Sequence, residues 1–78
     1  MSQSMTIQID GVMRGVLDTF VETDGYATTG YLVDATDSTR PTVTKRLDRL
    51  RAADHIEYVH RPTAFWRLRS DPREEADP

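Results

Sequence analysis

Thr39-Arg40-Pro41-Thr42-Val43-Thr44-Lys45-Arg46-Leu47-Asp48-Arg49-Leu50, soon followed by His55-Ile56-Glu57-Tyr58-Val59-His60, changes its hydrophobic period part-way, and that change decides the fold. In the first stretch Val43, Leu47 and Leu50 recur at spacings of four and three, the single apolar seam of an α-helix. Ser38 or Thr39 supplies its N-cap. Pro41 falls in the first turn, where the missing N–H costs nothing. This helix is expected to run to about Ala53. The second stretch is rich in β-branched and aromatic residues, Arg61-Pro62-Thr63 reads as a turn, and Ala64-Phe65-Trp66-Arg67-Leu68 alternates. Trp66 and Leu68 fall on one face, Phe65 and Arg67 on the other. A β-hairpin results, and since two strands are not stable alone, Ile56, Trp66 and Leu68 must pack on helices.

Upstream, Asp10 is a good N-cap, and Val12, Val16, Leu17 and Phe20 follow at helical spacing, with Met13 and Val21 widening the stripe. The first helix is expected over 11–22, closed by the turn signal Asp24-Gly25. Thr28-Thr29 caps a short second helix over about 29–35, carried by Leu32 and Ala35. Thr36-Asp37-Ser38 is then a short polar turn between helices. Met5 to Ile9 alternates, as a short strand or a docked arm would. The expected division is an N-terminal arm over 1–9, one domain over 10–69, and an acidic, disordered tail over 70–78. The expected class is α+β: three helices followed by a two-stranded hairpin.

The 78 residues suffice for one domain with a modest core. There is no cysteine to form a disulfide or thiolate metal site, which fits a cytoplasmic location. Neither a secretory signal nor a membrane-spanning run is evident. The net charge of −3 conceals a change of sign along the chain. Residues 1–39 hold one base against six acids, a net of −5; residues 40–69 hold eight bases against three acids, a net of +5. The last nine residues return to −3. A basic segment in an acidic chain is the footprint that a phosphate backbone favours.

Thr28-Thr29-Gly30-Tyr31-Leu32-Val33-Asp34-Ala35, the Ser38–Leu50 stretch and Ile56-Glu57-Tyr58-Val59 together resemble winged helix-turn-helix transcription regulators. The nearest relatives look like MarR-type regulators and small repressor-like proteins of halophilic archaea and their viruses. In such families a polar pair, a Val, two basic or polar residues and a Leu-x-x-Leu mark the recognition helix. An aromatic-Arg-Leu strand, here Trp66-Arg67-Leu68, ends the wing. The resemblance covers about residues 10–69. It departs from the family at the corner before the wing, where Asp54 and His55 replace a usual Gly; Asp tolerates the left-handed conformation at some cost. The wing is short, and the flanking helices used by MarR-type proteins to dimerise and bind ligands are missing. A single Lys45 beside nine arginines, nine aspartates and ten threonines resembles the composition of salt-loving archaea, although a GC-rich genome gives the same Arg bias.

The resemblance implies a sequence-specific regulator of transcription, a repressor, binding duplex DNA as a homodimer, with no cofactor. Helical spacing places Thr42, Lys45 and Arg49 on the outer face of the third helix, Arg46 at its flank and Arg40 in its first turn. Arginine bridges guanine N7 and O6 with two hydrogen bonds. Thr39, Arg40, Thr42 and Lys45 are therefore the candidate base readers, and Arg46 and Arg49 the candidate phosphate contacts. Arg61 and Thr63 at the wing tip, and Thr28 and Thr29 at a helix N-terminus, are further backbone candidates. The plainer alternative is a solvated basic face, with Asp48 pairing to Lys45 or Arg51.

His55 and His60 fall on opposite faces of a strand and read as turn or surface residues, not a metal pair. Gly11 and Gly15 are spaced for close helix packing or a dimer contact. Trp66 reads as core and Phe65 as an outward residue suited to a partner. No nucleophile–base pair or phosphate loop is present, so no enzyme is expected. The competing reading is a protein-interaction module in a larger assembly, using the same helix or the hairpin.

Overall fold

A computed structural model describes residues 7–75, and its elements follow the hydrophobic periods closely. Helix α1 spans Gly11–Glu22, with the Asp10 carboxylate accepting the Met13 N–H at 2.9 Å as N-cap. Its buried face is Met13, Val16, Leu17, Thr19 and Phe20, while Val21 stays exposed. Asp24 and Gly25, both at positive φ (60° and 91°), turn the chain. Helix α2 spans Thr29–Thr36, capped by the Thr28 hydroxyl, and ends on Asp37 in the left-handed region at φ 54°. Helix α3 spans Arg40–Ala52, capped by Thr39, with Pro41 in the first turn. It buries Val43, Leu47 and Leu50, the seam read from the sequence. Asp54 turns the corner into the hairpin at φ 65°, taking the left-handed role that glycine has in the resembled families.

The sheet differs from expectation. Strands β2 (Ile56–His60) and β3 (Phe65–Leu68) form the hairpin around a 3₁₀ turn at Arg61–Thr63, and Ala64 closes that turn at φ 49°. A third strand, β1 (Tyr26–Thr28), pairs antiparallel with β3 on its other side, giving the order β1-β3-β2. The two-stranded hairpin is thus corrected to a three-stranded sheet. Pairing continues at both ends of β1, through Leu68 N–H to the Gly25 carbonyl (2.7 Å) and Thr29 N–H to the Ala64 carbonyl (3.0 Å). Since β3 is paired on both sides, its backbone groups are satisfied, and the hairpin is anchored between α1 and α2.

One core joins the two layers: the three long helices supply Met13, Val16, Leu17, Phe20, Leu32, Val43, Leu47 and Leu50, and the sheet supplies Ala27, Ile56 and Trp66. Ile7 and Ile9 pack against it without joining a strand, so this part of the arm is docked; residues 1–6 lie outside the described residues. Gly15 lets α1 and α2 approach closely, since a Cβ there would lie 3.1 Å from Thr36 Cγ2; at Gly11 it would meet nothing. The architecture is a small α+β domain with four helices and a three-stranded antiparallel sheet, compatible with a winged-helix plan. Among the described residues no helix is long and apolar enough to cross a membrane.

The disordered tail is corrected over residues 70–75. Asp71 is buried, and Pro72–Glu75 forms a helical turn, α4; residues 76–78 lie outside the described residues. The Arg73 guanidinium grips Asp71 (2.7 Å) and Asp18 of α1 (2.6 Å), holding the segment against the first helix. His55, read as a turn or surface residue, is buried instead, with Nδ1 at 3.0 Å from the Ser70 carbonyl oxygen and 2.9 Å from its Oγ. The sequence pattern missed this docking because a few polar residues, not an apolar stripe, carry it.

The hydrogen bond from Arg73 holds the Asp71 carboxyl below the ordinary aspartate value of 3.8, against the opposing effect of burial. A depressed folded-state pKa contributes stability above the unfolded value, which is lost as pH falls through the folded one. Unfolding melts between pH 6 and pH 2.5 are therefore expected to show a decline starting near pH 4, and Arg73→Ala to flatten it. An equally steep decline in the variant removes this pair as its source.

Candidate nucleic-acid interface

Helices α2 and α3 are joined by the tight turn at Asp37, which sets the C-terminal end of α2 against the N-terminal turn of α3. A Cβ on Gly30, in the first turn of α2, would lie 3.6 Å from the Arg40 Nη2, so the Arg40 guanidinium reaches across from α3 to α2. The Thr39 Oγ1 accepts the Thr42 N–H at 3.4 Å and donates to the Thr42 Oγ1 at 2.9 Å. Thr28 is occupied by its cap on α2, accepting the Tyr31 N–H at 3.0 Å.

The basic residues divide into two groups. Arg67 pairs with Glu57, its cross-strand neighbour, and Arg69 lies 3.8 Å from Asp54 and 4.0 Å from Glu57. Arg73 is held as described, and Arg46 makes a two-pronged contact with Asp10, through Nη2 to Oδ2 (2.6 Å) and Nε to Oδ1 (3.3 Å). The side chains of Arg14 on α1 and of Arg40, Lys45 and Arg49 on α3 are exposed and, among the described residues, in no ion pair or hydrogen bond; Arg14 is the one base on its helix, whereas the other three share theirs. Asp48 pairs with neither Lys45 nor Arg51 among the described residues, so the pairing weighed from sequence is absent, while the basic face itself is solvated. Charged side chains with local partners give up little to a ligand, whereas unpaired ones carry their full field to an incoming anion.

Two of the expected contacts are revised. Thr29 is buried, and its Oγ1 accepts the Trp66 Nε1–H at 2.9 Å; this is an internal bond between α2 and the sheet, with no face to a phosphate. Arg46 is mostly covered, its side chain 17 % exposed, because it serves Asp10 and not solvent. That bond is the first cause holding the Asp10 carboxyl below the ordinary aspartate value; the Met13 N–H adds to it, and Arg49 exerts a smaller pull. Neither partner is visible in linear spacing, since Asp10 and Arg46 are 36 residues apart and Thr29 and Trp66 are 37 apart.

Thr29→Val removes the acceptor while keeping the shape, leaving a buried indole N–H unpaired. It is expected to cost about 1–3 kcal/mol, read as a lower urea midpoint at unchanged slope, whereas Thr29→Ser should cost far less. Equal losses in the two variants point to packing, not to the hydrogen bond.

The wing tip is also shaped by internal contacts. The Arg61 guanidinium carbon lies 4.5 Å from the Tyr58 ring centre and that of Arg51, from α3, lies at 5.3 Å; Tyr58 stacks on Trp66 at 3.9 Å. Cations over an aromatic face keep their charge, so Arg51 and Arg61 are placed without being neutralised. Thr63 is exposed and bonds only to His60, to its ring at 2.9 Å and its carbonyl at 3.3 Å. An open groove of about 550 Å³ between the second half of α3 and the hairpin is lined by Arg51, Tyr58 and Arg61 among others. On the outer sheet face Tyr26 and Phe65 pack together at 6.0 Å.

No protein-family model matches the chain, and neither the curated proteins nor the solved structures give a significant match.

Proposed function

We propose that the chain is a winged helix-turn-helix domain that binds duplex DNA sequence-specifically and represses transcription. The observation that carries this reading is the clustering of unpaired cations: those on the sheet and tail are matched with acids, Arg14 stands alone on the otherwise acidic α1, and Arg40, Lys45 and Arg49 gather unpaired on α3. α3 is the helix for the major groove. Thr39, Arg40, Thr42 and Lys45, in its first turns, read base edges, and Arg49 holds a phosphate. Arg61, and to a lesser degree Thr63 and Thr28, contact the backbone from either side. Arg46 and Thr29 are left out because they are covered as well as bonded internally, unlike Thr28 and Thr39, which stay accessible beside their caps.

The test separates the two kinds of contact. Arg40→Ala should reduce the preference among DNA sites, while Arg49→Ala should weaken binding to all sites alike and reduce the salt slope by about one. If Arg40→Ala leaves site preference unchanged, the assignment to base reading is wrong. The Tyr26–Phe65 pair, with Tyr26 exposed and Phe65 half-buried beside it, favours a second reading, a protein-interaction module docked through the sheet. Stable capture of a partner that Tyr26→Ser abolishes, with no DNA affinity at low salt, supports that reading instead.

A further inference from the structure

The Asp10 carboxylate serves two helices at once. Oδ1 accepts the Met13 N–H that caps α1, and both oxygens accept from Arg46 of α3. Thr42, Arg46 and Arg49 are spaced four and three residues apart on α3, so they form one stripe along its side. Thr42 and Arg49 have no acid on them, but Arg46, between the two, is turned back onto Asp10. Asp10 thereby removes the middle cation from a stripe otherwise open to phosphate.

We infer that Asp10 is a specificity-determining residue: by holding Arg46 off the Thr42–Arg49 stripe it limits sequence-independent phosphate binding by α3. The inference rests on the DNA-binding reading and goes beyond it. Phosphate contacts add affinity for every sequence equally, so each one avoided raises the share of binding free energy that depends on bases. The same bond fixes α1 against the flank of α3, which sets the angle at which α3 is presented.

Asp10→Asn is the clean probe, because Asn caps a helix as well as Asp. With its oxygen kept on the Met13 N–H, its amide nitrogen takes the place of Oδ2, where the Arg46 Nη2 finds its acceptor at 2.6 Å. Two donors then face each other, only the longer Nε contact to Oδ1 at 3.3 Å is left and the opposite charge is gone, so Arg46 is freed to turn outward. Binding of the wild type, Asp10→Asn, Arg46→Gln and the double variant to mixed-sequence duplex DNA is measured by fluorescence anisotropy across a salt series. Asp34→Asn, on the exposed side of α2, controls for the change in net charge. The expected result for Asp10→Asn is tighter binding with a salt slope steeper by about 0.9, so its advantage grows about 3.5-fold for each fourfold dilution of salt. Arg46→Gln alone should leave the slope unchanged, and in the double variant the gain should vanish. A wild-type slope in Asp10→Asn, or the same gain in Asp34→Asn, overturns the inference while leaving the DNA-binding reading intact. No binding by either the wild type or Asp10→Asn overturns both.

Discussion

Phe20→Ala is expected to remove a large share of the stability of the domain. Phe20 is fully buried on α1 and belongs to the core that joins the helices to Ala27, Ile56 and Trp66 of the sheet. Truncating a buried Phe costs about 3–5 kcal/mol, through lost transfer free energy and the cavity left behind. A chain of this length has a total stability of about 4–12 kcal/mol at typical values per residue, so one substitution removes a large share of it. The melting temperature should fall by more than about 12 °C, each kcal/mol being equivalent to about 4–8 °C in a domain of this size. Val21, the next residue, is 57 % exposed, and Val21→Ala should stay within about 0.5 kcal/mol of wild type. Calorimetry of the two variants checks the face of α1 directly. Comparable losses at both positions contradict the packing described.

Replacing Arg40, Lys45 and Arg49 together by alanine is expected to abolish useful DNA binding without unfolding the protein. All three side chains are exposed and unpaired, and alanine is the best helix former, so the melting temperature should not fall. Two of the three are assigned to base edges, where each good contact is worth about 1–3 kcal/mol, so affinity for a selected site should drop at least about 30-fold. On mixed-sequence DNA, where Arg40 and Lys45 have no matching bases and all three cations lie against phosphates, the salt slope should become shallower by two to three, about 0.9 for each neutralisation lost. Replacing Arg67 and Arg69, which already have acidic partners, should leave binding nearly unchanged. If the two sets of substitutions weaken binding equally, the division of cations into paired and unpaired has no bearing on DNA.

The fold was legible in the sequence wherever a period was long enough to repeat. Val43-Leu47-Leu50 and the Val12–Phe20 stripe fixed two helices, with Asp10 and Thr39 as their caps. β1 was not legible: Tyr26-Ala27-Thr28 is too short for alternation to register between a turn and a cap, and only pairing with β3 makes it a strand. Docking of residues 70–75 was missed for a related reason, since His55 and Arg73 find partners, Ser70 and Asp18, far away in the chain. The candidate interface was legible as a cluster of cations on one helix. Which of the candidate contacts were already occupied was not, because Asp10 and Trp66 reach Arg46 and Thr29 only through tertiary packing. The structure therefore narrows the set of contacts read from helical spacing and leaves its centre, at the start of α3, in place.

The most direct test of the central claim, that the exposed cations of α3 bind duplex DNA, is a salt series. Purified protein is titrated against a mixed-sequence duplex by fluorescence anisotropy. The account predicts an affinity that falls linearly with salt on logarithmic axes, with most of the slope lost in the Arg40, Lys45 and Arg49 triple variant. No binding at any salt concentration where the protein remains folded, or binding that the triple variant retains in full, would contradict it.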